Sequence, residues 1–235
     1  MTLERQLELT VNKILRTSWK KRKGYKVPTT LQVSLGEGAV NLVGTVLYAD
    51  LVQSSELADE FQMRVAAKVI KCFLSSCSKL VTTHGGKVTS FDGDRIMAVF
   101  VGKTQNTAAA KVALKINYVV RNLIKPSIEN HFTSFNETPF EIGHAVGIDT
   151  SEVLAVRAGQ AGSNDLVWIG RAPNFAARLS EIRERGYTTY ITEAVYRKLN
   201  KLAKYSEESN MWVRQSLEWL GEKRIIYRSS WTWKP

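Results

Sequence analysis

Two aspartates and an amide–guanidinium pair are the residues whose types and places could do chemistry. Asp50 closes an apolar stretch, "AVNLVGTVLYADLV", that reads as a strand. An ionised carboxylate is costly to bury there without a positive partner or a metal. Asp94 is expected to open the outgoing strand of "KVTSFDGDRIMAVFVG", a hairpin whose turn reads as Asp92-Gly93. If the two strands are neighbours, the carboxylates converge at one sheet edge. Two carboxylates and little else suit a hard divalent cation, Mg2+ or Mn2+, that completes its shell with water and substrate phosphates. Asp-Gly-Asp also suits a plain turn. In "RAPNFAAR", Asn174 and Arg178 lie four apart and share one helix face. An amide can orient a ribose, and a guanidinium can bind phosphoryl oxygens in pairs. A polar surface pair has the same signature.

Alternating strands and helices must position these groups. "SELADEFQMRVAAKVIKCFLSSCSKLVTTHGG" predicts one long helix that stops at Gly85-Gly86. "TQNTAAAKVALKINYVVRNLIKPSIEN" predicts a second, broken around Pro126. "FEIGHAVGIDTSEVLAVRAG" predicts a second hairpin, and "PNFAARLSEIRER" a helix with Pro173 in its first turn. A short strand "YTTYIT", the helix "EAVYRKLNKLA" and two terminal strands in "SLEWLGEKRIIYRSSWTWKP" follow. The order implies an α/β (α+β) fold, with a ferredoxin-like mixed sheet covered by helices. Residues 1–37 read as an N-terminal amphipathic helix and basic connector, and residues 38–235 as the main domain. The helix stripe could also pair with a second subunit.

The chain has 235 residues, 44% of them hydrophobic, which is ample for a folded core. Its net charge is +11, and the first 28 residues, with eight Lys/Arg and two Glu, carry +6 of it. The basic run "RTSWKKRKGYK" suits a solvated connector; nucleic acid, an acidic membrane surface or a polyanionic substrate would also match its charge. No apolar run approaches the roughly 20 residues that span a bilayer. Cys72 and Cys77 lie five apart in a predicted helix, where side chains share no face, so a reducing cytoplasm is expected. His84, His131 and His144 have no ligand spacing.

Taken together and in order, these motifs resemble the class III nucleotidyl cyclase catalytic domain. "LYADLVQSS" resembles its first metal motif and "SFDGDRIMAVF" its second. "GHAVGIDTSEVLAVRAG" resembles its glycine-rich hairpin, and "WIGRAPNFAAR" its Asn-x-x-x-Arg motif. The resemblance covers roughly residues 38–231. It implies that Asp50 and Asp94, with the Leu51 carbonyl, hold two Mg2+ or Mn2+ ions. It also implies that Asn174 positions the ribose and Arg178 the transferring phosphoryl group. The aspartates and the Asn/Arg pair of one site come from different subunits in this family, so a homodimer with composite sites is implied. A basic residue near the last hairpin holds the triphosphate tail; Lys223, Arg224 and Arg228 qualify by type, and Arg171 is a further possibility.

The chain departs from the adenylate cyclases at the adenine-reading pair. The position of their Lys, four before the second metal Asp, is Ser90, and that of their Asp or Thr, seven before the Asn, is Val167. Lys87 faces the other way if its strand is regular. Tyr48, two before Asp50, could press on the base or sit in the core. Tyr48, Ser90 and Val167 are thus the expected base pocket. "HAVGIDTSEVL" and "NDLVWIGRAPNFAARLS" are similar to the pyrimidine cyclases of bacterial Pycsar antiphage systems. That resemblance implies conversion of UTP to cyclic UMP and pyrophosphate, a cytoplasmic second messenger read by a separate effector. A cytidylate cyclase making cyclic CMP and a purine (adenylate or guanylate) cyclase remain alternatives. A non-enzymatic, ferredoxin-like nucleic-acid binder would use the basic N-terminus but has no use for the Asp and Asn/Arg set, so no stable nucleic-acid or membrane partner is expected.

Overall fold

The computed structural model describes residues 1–235. In chain order the elements are α1 (Leu3–Arg16), β1 (Lys20–Lys23), β2 (Gly38–Val52), α2 (Ser54–Glu60), α3 (Met63–Thr83), β3 (Lys87–Asp92) and β4 (Arg95–Phe100). Next come α4 (Gln105–Val119), a π-helical turn (Val120–Ile124), α5 (Lys125–His131), β5 (Gly143–Gln160), β6 (Ser163–Gly170) and α6 (Arg171–Ser180). The chain ends with β7 (Thr189–Thr192), α7 (Glu193–Arg197), α8 (Lys201–Lys204), the small hairpin β8–β9 (Tyr205–Ser206, Ser209–Asn210), β10 (Val213–Trp219) and β11 (Glu222–Ser229).

One mixed sheet runs β10-β11-β7-β5-β2-β4-β3, with β6 paired to the end of β5 and β1 paired to the start of β2. The β5–β7 and β1–β2 pairs are parallel, and the others antiparallel. Alternation along β2 decides what each face buries. Leu47, Ala49 and Leu51 join a core with α3 and α4, while Val46 and Tyr48 pack with Met97 and with Ala172 and Ala176 of α6. α6 can lie this close to the sheet because β5 carries Gly147, where a Cβ would fall on the Ala176 carbonyl oxygen and 2.5 Å from Ser180 N. No helix is long and apolar enough to cross a membrane.

Several expectations are corrected. The predicted long helix after Asp50 is two helices, because Phe61 turns extended (φ −118°, ψ 155°) and stacks on Phe135 at 4.0 Å between centroids. The segment predicted as a second hairpin is the single 18-residue strand β5, and its hairpin partner is β6. The polar run Asp149-Thr150-Ser151 mimics a turn, yet Asp149 and Thr150 are buried and bonded: Thr192 Oγ1 donates to Asp149 at 2.5 Å, and Thr45 Oγ1 to Thr150 Oγ1 at 3.2 Å. The helix predicted over residues 173–185 ends at Ser180, and that over residues 193–203 is the two short helices α7 and α8. The turn of the first hairpin is Gly93-Asp94, with Gly93 at φ +60° and Asp92 paired to Arg95, so Asp94 sits in the turn instead of opening β4. The break in the second predicted long helix falls where expected: the π-helical turn stops just ahead of Pro126. The basic residues of β1 are all exposed and form an edge strand on β2.

Candidate active site

Asp50 sits at the end of β2, directly across from Arg95 on β4 and Ala145 on β5. Asp94 reaches the same place from the β3–β4 turn. Both line one cavity of about 590 Å³, with Arg95, Arg183 and residues 51–56. Asp50 is almost fully buried. Arg183 Nη2 donates to Asp50 Oδ2 at 2.7 Å, and Arg95 Nε to Asp50 Oδ1 at 3.5 Å. Burial pushes the Asp50 carboxyl above the usual carboxylate range; the Arg183 hydrogen bond and the Arg95 charge oppose this, and Asp94 adds to it. Asp94 Oδ2 is buried with no hydrogen-bond partner. Leu51 lines the cavity although its side chain packs in the core of the opposite sheet face.

This donor set fits a hard divalent cation. An orphaned carboxylate oxygen and a second carboxylate held only by flexible guanidinium groups face one polar space, and oxygen-only ligands of this kind select such ions. No group of three His, Cys, Asp or Glu side chains is placed to share an ion, so the rest of a coordination shell would fall to backbone, water and substrate.

The other expected residues lie apart. Asn174 and Arg178 share the exposed face of α6. Arg178 Nη1 meets Glu181 Oε2 at 3.3 Å, and Glu181 Oε1 lies 3.6 Å from Arg95 Nη1, so this pair touches neither aspartate in its own chain. Ser90 and Tyr48 fall in one cross-strand row, Ser90–Met97–Tyr48–Gly147. Burial raises the Tyr48 phenol pKa, with the Arg95 charge opposing. Val167 stands on β6, 45% exposed and outside that row. Lys87 corrects the regular-strand expectation. A bulge between Val88 and Ser90 pairs Lys87 with Val99 and Ser90 with Met97, alternate residues of one β4 face, so Lys87 shares the face of Ser90. Among the basic candidates, Lys223 is exposed, Arg224 pairs with Glu222, and Arg228 pairs with Glu184 and covers the Tyr187 ring at 4.0 Å. Arg171 holds Asp149 at 3.3 Å and donates to Thr150 O at 2.7 Å.

Sequence reasoning missed Arg95 and Arg183. Arg95 could have been found, since it follows Asp94 and hairpin register sets it across from Asp50. Arg183 had no signal; it lies 133 residues from Asp50, in the loop after α6.

The fold is the one shared by class III nucleotidyl cyclase domains. The adenylyl cyclase CyaB from P. aeruginosa superposes with a TM-score of 0.67 at 20% identity, over 81% of this chain and 95% of that one. The chain belongs to the uridylate cyclase family. It is 43% identical over 237 residues to a uridylate cyclase of Rhodovulum sp. (strain MB263), covering 100% of this chain and 99% of the relative. It is 37% identical over 235 residues to a uridylate cyclase of Xanthomonas perforans, again covering 100% and 99%. No protein-family model matches the chain.

Proposed function

We propose that this protein converts UTP to 3′,5′-cyclic UMP and pyrophosphate. The observation that carries the reading is the meeting of Asp50 and Asp94 at one cavity in a chain whose full-length relatives are uridylate cyclases. The ribose 3′-oxygen attacks the α-phosphorus of the same nucleotide. The new 3′-O–P bond forms as the bond to the β-phosphate oxygen breaks, pyrophosphate leaves, and the 3′-hydroxyl proton passes to solvent. Asp50, Asp94 and the Leu51 carbonyl would hold two Mg2+ or Mn2+ ions, which when bound make the 3′-hydroxyl more acidic and neutralise the polyphosphate.

Asn174 and Arg178 act from a second copy of the chain: Asn174 orients the ribose and Arg178 offsets charge growing on the transferring phosphoryl group. Their exposure on α6, away from the aspartates of their own chain, supports a homodimer with two composite sites. Tyr48 and Ser90 from the sheet row, with Val167 on the exposed hairpin of the other copy, form the base pocket. Lys223 is the terminal-hairpin cation best placed for the polyphosphate, since Arg228 is already committed to Glu184. Residues 38–235 make up the catalytic domain and residues 1–37 an appended segment. The product serves as a cytoplasmic second messenger of antiphage defence, read by a separate effector.

Incubation of the purified chain with each of the four ribonucleoside triphosphates and Mn2+ tests the reading. Cyclic UMP from UTP is expected. Cyclic CMP alone would move the assignment to CTP, cyclic AMP or cyclic GMP alone would end the pyrimidine assignment, and no cyclic product from any of them would end the cyclase assignment.

A further inference from the structure

A larger cavity, about 850 Å³, adjoins the aspartate cavity between the end of α4, the π-helical turn, the start of β5 and the loop after α6. Its volume lies within the range of small-molecule sites. Four of its lining residues carry a buried polar atom with no hydrogen-bond partner: Asn117 Oδ1, His144 Nε2, Glu184 Oε2 and Thr188 Oγ1. Asn117 is 1% and His144 4% exposed. Buried polar atoms are almost always bonded, so a cluster of exceptions around one space marks a place for something polar.

Charge in the wall gives the ligand's class. Its carboxylates already have cations: Glu129 and Glu141 share Lys125 at 3.9 and 3.7 Å, and Glu184 pairs with Arg228. Arg121 and Arg185 line the cavity with no carboxylate partner. Two free guanidinium groups beside a set of donors and acceptors suit a phosphate monoester with a polar body. Arg183 lines both cavities, and it is the residue that donates to Asp50 at 2.7 Å.

We propose that this cavity is a second site, for a phosphorylated small molecule separate from the substrate, and that its phosphate draws Arg183 off Asp50 and frees Asp50 for the metal. The coupling half rests on the reading of Asp50 as a metal ligand. It is reciprocal: phosphate in the cavity tightens metal binding, and metal tightens phosphate binding.

The test uses the full chain without nucleotide and inorganic phosphate as the probe. Calorimetry is expected to show phosphate binding to the wild type and to Asp94→Asn alike. Arg121→Ala/Arg185→Ala loses at least about tenfold in affinity while keeping the wild-type thermal midpoint without phosphate. Mn2+ binding followed by electron paramagnetic resonance tightens at least about fivefold with phosphate. Arg183→Ala binds Mn2+ without phosphate as tightly as the wild type does with it, and no longer responds to phosphate. The site is refuted if the wild type binds no phosphate, if Asp94→Asn abolishes binding, or if the double variant binds normally. The coupling is refuted if Mn2+ affinity ignores phosphate in the wild type. A raised KM for UTP in the double variant, assayed without phosphate, would assign the cavity to the substrate's own tail and overturn a separate ligand. Neither binding readout needs turnover, so failure to make cyclic UMP would count against the cyclase reading alone.

Discussion

Asp50 has two demands on it that pull apart. In the folded chain its charge is balanced by Arg183 and Arg95, while in the proposed reaction the same oxygens face a cation. Asp94 has no such balance, and its Oδ2 is left without a partner. Polar groups left unsatisfied this way are characteristic of sites that a ligand completes. Replacing either aspartate by asparagine keeps size and shape and removes the charge. Each variant is expected to fold, by circular dichroism, and to lose cyclic UMP formation by about a thousandfold or more, because metal-assisted ionisation and leaving-group stabilisation fail together. A variant retaining a tenth of wild-type turnover would exclude that carboxylate as a metal ligand.

At the scale of elements, the seat of α6 on the sheet matters most. α6 carries Asn174 and Arg178, and its approach depends on the missing side chain at Gly147. Gly147→Ala would place a Cβ 2.7 Å from Leu179 Cβ and 2.5 Å from Ser180 N, so the helix must lift. The expected cost is about 1–3 kcal/mol in urea unfolding, with activity falling further than stability because the Asn/Arg pair moves with the helix. Unchanged stability would show that α6 can slide without strain. The bulge in β3 is a second element-scale device. It brings Lys87 to the Ser90 face, which spacing along a regular strand forbids.

At the scale of the whole molecule, two properties follow. If sites are shared between copies, Asp50→Ala/Asp94→Ala and Asn174→Ala/Arg178→Ala proteins are each inactive, yet a mixture regains turnover. Random pairing makes half the dimers mixed, each with one intact site, so about a quarter of wild-type activity is expected at equal amounts. No recovery after co-refolding would sink the composite site. The second property is acid sensitivity. Burial, with the Arg121 charge adding to it, pushes His144 from 6.5 down to about 3. The unfolded chain takes up this proton below 6.5 while the folded chain stays neutral, so the contribution is whole above 6.5 and is lost as pH falls toward about 3. The slope approaches roughly 1.4 kcal/mol per pH unit in the window between. His144→Gln should flatten unfolding free energy against pH over that window, and an unaltered slope would show that His144 is protonated in the fold.

Local pattern by itself determined a good part of this protein. Short apolar or β-branched runs bounded by turn residues marked β2, β4, β7 and the terminal hairpin, and Pro126 marked the helix break, because those signals are written in neighbouring residues. The meeting of the two aspartates at one cavity and the shared helix face of Asn174 and Arg178 were legible because strand ends, hairpin turns and i, i+4 spacing are local signals. Tertiary structure alone decided the rest. β5 is one strand because Asp149 and Thr150 find partners on Thr192, Arg171 and Thr45, far along the chain. Phe61 breaks a helix because Phe135 offers it a stacking partner. Arg183 reaches Asp50 only once α6 has folded back across the sheet. In each case the deciding energy is a contact between distant residues, and a window of sequence holds only one side of it.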